Sequence, residues 1–106
     1  MKIIIEQTHA YSQSYKKKLR RNRLIKDGVD SAIKLMKTDQ IIADKIERPL
    51  WPEGYKRFRI TNLWRYEIRD FRLIYTIRIE SGIKKYGVFD ILTHKEYDKL
   101  FGFHTS

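Results

Sequence analysis

From Tyr55 to Tyr75 the chain alternates large apolar side chains with arginines: Tyr55-Lys56-Arg57-Phe58-Arg59-Ile60-Thr61-Asn62-Leu63-Trp64-Arg65-Tyr66-Glu67-Ile68-Arg69-Asp70-Phe71-Arg72-Leu73-Ile74-Tyr75. A two-residue period is the mark of strands buried on one face. The alternation is broken at Arg69-Asp70, which reads as a two-residue hairpin loop. Ile68 then lies opposite Phe71, Glu67 opposite Arg72, Tyr66 opposite Leu73 and Trp64 opposite Tyr75, and opposed residues share a face. One face carries Trp64, Tyr66, Ile68, Phe71, Leu73, Tyr75 and Ile77. The other carries Arg65, Glu67, Arg72, Ile74 and Thr76. The expectation is a sheet with an apolar side for helices and a basic side for an anionic partner. Asn-Gly or Asp-Gly would be a stronger turn signal than Arg69-Asp70, and a slip of one residue would exchange the two faces.

Charge is the strongest bulk property. Twenty-three Lys+Arg against 13 Asp+Glu give a net charge of +10 and a pI near 9.9. In a chain of 106 residues this points to a polyanion, with nucleic acid ahead of an acidic protein or an anionic membrane surface. The hydrophobic share of 42% excludes wholesale disorder, and the length suits one domain spanning 1–106. There is no cysteine. That excludes disulfides, thiolate metal sites and cysteine nucleophiles, and it suits a reducing cytoplasm. No apolar run approaches the ~20 residues that span a bilayer, so no membrane-spanning segment is expected, and of the anionic partners a membrane is the one set aside. The apolar start, Ile3-Ile4-Ile5, is too short for a signal peptide.

In chain order, Lys2 to Gln7 reads as a first strand, with its isoleucine run suited to burial on both faces rather than to an edge. Thr8 to Ser12 reads as a polar break. A helix is expected from Ser14, with Asp27-Gly28 as its stop. It carries Lys16, Lys17, Lys18, Arg20, Arg21, Arg23 and Lys26, a run without the mixed signs that support a merely solvated helix. A second helix is expected from Val29-Asp30, capped by Asp30 or Ser31. Ala32, Ile33, Leu35 and Met36 would face the core, and Ile41, Ile42, Ala43 and Ile46 would continue the pattern. Arg48 to Gly54 is the clear loop, within which Trp51 is read as core. Glu80-Ser81-Gly82 is the next turn, Lys85 to Leu92 the last strand. Tyr97, Leu100 and Phe101 form the apolar stripe of a short terminal helix. The order β-α-α-β-β-β defines an α+β domain, an N-terminal strand and two-helix hairpin followed by antiparallel strands, with helices packed on one face of the sheet.

This order, together with Phe71-Arg72-Leu73-Ile74-Tyr75 and the closing His94-Lys95-Glu96-Tyr97, resembles the RelE/ParE superfamily of toxin–antitoxin toxins over essentially the whole chain. The resemblance implies a RelE-like fold and a cytoplasmic toxin neutralised by a cognate antitoxin. Members similar to RelE cleave mRNA on the ribosome, whereas members similar to ParE poison DNA gyrase. A third reading is a protein that keeps the fold and binds RNA or antitoxin without activity. The family hairpin commonly has a glycine where this chain has Arg69, and a basic residue where it has Glu67.

Metal-independent RNA cleavage by the ribose 2′-OH needs a proton acceptor, donors for the phosphate and a proton for the leaving 5′ oxygen. Arg72 is the first candidate, because a guanidinium on a strand holds two phosphate oxygens in a fixed geometry. An ion pair with Glu67 directly opposite is its alternative use. His94 is the second candidate, since imidazole serves as acid or base near neutral pH. The third, Tyr97, would donate a proton or stack on a base, while its periodicity makes it core. Lys56, Arg57, Arg59 and Arg65 are expected to bind substrate phosphates on the same basic side. His9, His94 and His104 are too scattered to form a readable metal site, and the five glycines make no phosphate loop. No cofactor is expected.

Overall fold

The computed structural model describes residues 1–102. Five strands form one mixed sheet in the order β1-β5-β4-β3-β2. They are β1 (Lys2–Gln7), β2 (Asp44–Lys45), β3 (Trp64–Ile68), β4 (Phe71–Glu80) and β5 (Ile83–Thr93). The helices are α1 (His9–Leu19), α2 (Arg23–Lys37), α3 (Glu53–Lys56) and α4 (His94–Phe101). The architecture is α+β, as expected.

The β3–β4 hairpin has the register that the alternation implies, with Trp64↔Tyr75, Tyr66↔Leu73, Glu67↔Arg72 and Ile68↔Phe71 paired. Arg69 turns the corner at φ 55. Ser81 and Gly82, at φ 49 and 77, close the β4–β5 hairpin with the positive φ pair that such loops favour. β1 lies parallel to β5, from Lys2↔Ile83 to Gln7↔Val88. It is an edge strand, contrary to the expectation from its isoleucine run. Its three isoleucines are half-buried, with Ile3 and Ile5 packed on the core. A continuous apolar run reports cover on the faces, and says nothing about neighbours along the sheet.

The two long helices start earlier than the sequence suggested, for reasons of capping. Thr8 is the N-cap of α1: its hydroxyl accepts from the Tyr11 amide at 3.0 Å and donates to the Phe89 carbonyl at 2.5 Å. Asn22 caps α2 through the Ile25 amide, 3.3 Å away. Asp27-Gly28 therefore lies inside α2 rather than ending a helix. Gly28 sits where α2 crosses the hairpin, and a Cβ on it would fall 2.3 Å from Ile68 Cγ2. The buried stripe Ile25, Val29, Ala32, Met36 has the i, i+4, i+7, i+11 spacing of one helix face. α2 stops at Thr38, and Asp39 follows at φ 57. Its carboxylate receives Lys84 Nζ at 2.6 Å and the Tyr86 hydroxyl. Ile41, Ile42, Ala43 and Ile46 therefore do not extend the helix. Ile41 and Ala43 pack on the core beneath α2, Ile42 is 87% exposed, and Ile46 turns to the opposite side of the sheet.

That opposite side departs most from expectation. Residues 46–63 form a strap, and with α4 they bury a second core: Ile46, Trp51, Ile60, Leu63, Ile74, Phe89, Leu92, Tyr97 and Phe101. Helices therefore occupy both faces, α1 and α2 on the first and α4 on the second. The second face is apolar over most of its area, and its exposed basic groups lie at its two ends. Trp51 is core as expected, donating from Nε1 to the Ile46 carbonyl at 2.8 Å. Asn62 stitches the strap to β4, donating to the Ile77 carbonyl and accepting from the Ile77 amide, each at 2.8 Å. This side-chain amide continues the ladder beyond the end of β3. In α4, Tyr97 and Phe101 are buried but Leu100 is 42% exposed, so the expected stripe loses one member. Among the described residues no helix is long and apolar enough to cross a membrane.

Candidate active site

At the hairpin end of the second face, two strands and one helix bring charged groups together. Alternation along β3 and β4 turns Arg65, Glu67 and Arg72 to this side. α4 starts immediately after β5, so His94 arrives beside Phe71, which pairs with Thr93. The helix is fixed at both ends. Thr93 and Glu96 form a capping box, and Gly102 closes the C-terminus at φ 67. Its first amide, that of His94, donates to the Asp70 carbonyl at 2.7 Å and ties the helix to the hairpin loop. Glu96 also pairs with Lys18 at 2.8 Å. Burial works against its charge, but Lys18 and Thr93 together hold its carboxyl below the usual range.

Arg72 Nη2 lies 2.9 Å from His94 Nδ1. A guanidinium only donates, so Nδ1 is the acceptor and the ring proton sits on Nε2. That nitrogen faces Asp98 Oδ2 at 3.1 Å, one helical turn on. The three side chains thus form a line, Arg72 to His94 to Asp98. Arg72 Nη1 donates to the carbonyls of Arg69 and Phe71, both at 3.1 Å, which locks the guanidinium plane. Its Nε points toward Glu67 Oε1 at 3.7 Å, too long for a hydrogen bond. Glu67 is largely exposed at the rim, so it attracts Arg72 without saturating it. The Arg72 side chain is itself only 12% exposed, so whatever an anion meets of it lies at this rim beside Glu67.

Arg65 supplies a second guanidinium on the same face. It pairs with Asp44 at 3.2 Å, touches the Tyr97 hydroxyl at 3.4 Å and lies 5.4 Å above the Tyr97 ring. Burial alone would lower the Arg65 pKa, but Asp44 and Tyr97 together raise it. Tyr97 is 1% exposed and stacks on Phe101 at 4.6 Å. Burial raises its phenol pKa, against the opposing pull of Arg65 and Arg72. Tyr97 thus touches Arg65 from within the core rather than lying at the surface.

Lys56, Arg57 and Arg59 do not join this cluster. Lys56 ends α3 and is paired with Glu53 at 3.0 Å, and Arg57 and Arg59 follow it on the strap. Arg59 lines a cavity with Thr76 and Arg78, four to six residues along β4 from Arg72. At ~3.3 Å per residue that is roughly 13–20 Å away. The basic run of α1 and α2 does approach the site. Lys18 reaches the Ile91 carbonyl at 3.1 Å as well as Glu96, while Lys17, Arg20 and Arg21 flank it around a shallow depression. His9 lies on α1, away from His94, and His104 falls outside the described residues. Sequence reasoning overlooked Asp98, although its i+4 spacing from His94 on an expected helix was readable, and Asp44, whose pairing with Arg65 depends on β2.

Comparison with protein-family models, with curated proteins and with solved structures finds no match to this chain.

Proposed function

We propose that the chain is a RelE-like toxin, an endoribonuclease that cuts mRNA on the ribosome in the cytoplasm and is held in check by a cognate antitoxin. The observation that carries this reading is the 2.9 Å contact between Arg72 and His94, a phosphate-binding group and a proton-transfer group brought together at the basic end of the molecule. In the free protein Arg72 occupies His94 Nδ1. A phosphate arriving at Arg72 competes for that N–H and frees Nδ1 to accept the proton of the ribose 2′-OH. The O2′–P bond forms, the P–O5′ bond breaks, and the proton is returned to the departing 5′ oxygen. The products are a 2′,3′-cyclic phosphate and a 5′-hydroxyl. Asp98 fixes the imidazole ring and stabilises its cationic form, Arg65 offers the phosphate a second guanidinium, and Tyr97 positions Arg65. General acid–base assistance of this kind contributes about 10²–10⁴-fold in rate.

The test is primer extension on an mRNA translated in a purified system, with a ribosome-free control and with the chemistry of the new ends determined. Ribosome-dependent cuts bearing a 2′,3′-cyclic phosphate support the reading. Intact mRNA at high protein concentration overturns it in favour of the ParE-like alternative, which a gyrase supercoiling assay then addresses.

A further inference from the structure

The other end of the second face holds a cavity of about 220 Å³ that the hairpin-end cluster does not use. Its floor is the backbone of β5 from Gly87 to Phe89, bordered by Thr76 of β4 and Glu6 to Thr8 at the end of β1. Gly87 keeps that floor open, because a Cβ there would lie 3.1 Å from Thr76 Cγ2 and project over it. One wall is Phe58, set edge-to-face against Phe89 at 4.9 Å and half exposed, at 50%. The rim carries two guanidiniums and one carboxylate: Arg59, Arg78 and Glu6. Arg78 is shared between Glu6 at 3.9 Å and Glu80 at 3.6 Å. Arg59 makes no hydrogen bond or ion pair among the described residues.

An exposed aromatic ring beside a flat strand backbone forms a slot for a planar group, and a net positive rim selects for an attached anion. The polar groups inside are already engaged. Thr76 Oγ1 donates to the Asn62 carbonyl at 2.6 Å, Thr8 Oγ1 to Phe89, and Gln7 Nε2 to Ser12 at 2.6 Å. The cavity thus favours stacking over hydrogen-bond readout, which is the sequence-tolerant mode of single-strand binding. Its volume is below the ~300–1,000 Å³ of drug-sized sites, which fits one base rather than two.

We infer that this cavity binds a single nucleotide, with the base stacked on Phe58 and the phosphate on Arg59. The inference goes beyond the proposed nuclease, since it uses none of the groups around Arg72.

The test is an NMR titration of the isotope-labelled full chain with adenosine 5′-monophosphate, ribose 5-phosphate and adenosine, read at backbone amides. Adenosine monophosphate should shift the amides of Phe58, Gly87 and Val88. Removing its base or its phosphate should weaken binding about tenfold each. Phe58→Ala and Arg59→Ala, both at exposed positions, should each weaken it about fivefold or more. The inference is overturned if the shifts fall only around Arg69, Arg72 and His94, if ribose 5-phosphate binds as tightly as the nucleotide, or if Phe58→Ala leaves the affinity unchanged. The titration is repeated on Arg72→Ala protein, which should bind equally well. Because no cleavage is read, failure of the nuclease and failure of this site are separate results.

Discussion

The two faces of the sheet are built by different means. The first is covered by α1 and α2, whose buried residues recur at helical spacing against strands that alternate every second residue. The second is covered by a strap of irregular backbone, one short helix and α4, held on by single contacts such as Trp51 to Ile46 and Asn62 to Ile77. The regular cover leaves a cleft between α1 and α2, beside Tyr11, Tyr15 and Val29. The irregular cover ends short of the sheet at both ends, and those ends hold the Arg72–His94 cluster and the cavity beside Phe58. Both proposed sites therefore lie on the face whose cover is irregular, supported by a rigid sheet.

If the strap is a true core, the two faces should respond alike to truncation. Leu73 and Ile74 are neighbours on β4, both fully buried, one on each face. Leu73→Ala and Ile74→Ala should each cost about 2–5 kcal/mol in urea denaturation. A cost under about 1 kcal/mol for Ile74→Ala alone would show the strap to be a loose lid. The next effect tests the first face. Gly28→Ala gains about 1 kcal/mol in helix propensity but places a methyl inside the contact distance of Ile68. It should be net destabilising, with an overpacking cost of about 1–3 kcal/mol, and Ile68→Ala in the same chain should recover part of the loss.

Smaller effects sharpen the contrast at the hairpin and at α2. Arg69 holds a left-handed conformation that glycine adopts freely, so Arg69→Gly should stabilise the protein by about 1 kcal/mol in thermal melts. The same change removes a cation beside Arg72 and should weaken RNA binding at low salt. Smallest is the anchor of α2 on β5. Hydrogen bonds from Lys84 and Tyr86 hold the Asp39 carboxyl below its usual value. Its contribution is therefore present above the unfolded-state value of about 4 and is lost as pH falls through the lower folded one. The stability difference between wild type and Asp39→Asn, within about 1 kcal/mol for a surface group, should close as pH falls below about 4.

What the sequence revealed follows the same division. Strict alternation defined the β3–β4 register and both faces of the hairpin, because a one-residue slip would have buried Arg72 and exposed Leu73. The Tyr97/Phe101 stripe defined α4. Capping residues moved the starts of α1 and α2, and Gly28 was mistaken for a stop because the reason for it is Ile68, 40 positions on. The strap had no period to read, so the apolar character of Leu63, Ile74 and Phe89 could not be assigned to a second core. Arg72 and His94 were each legible as chemical types. Their contact was not, because it depends on α4 starting where β5 ends.

The central claim is that Arg72 and His94 act together on RNA from the open end of the second face. The most direct measurement is mRNA cleavage in the purified translation system by Arg72→Ala and His94→Ala proteins, alongside thermal melts of both. The account predicts that each variant keeps the wild-type fold and loses cleavage by at least about 10²-fold, with the double variant little worse than either single one because the two act as a unit. Two folded variants that cut like wild type would contradict it.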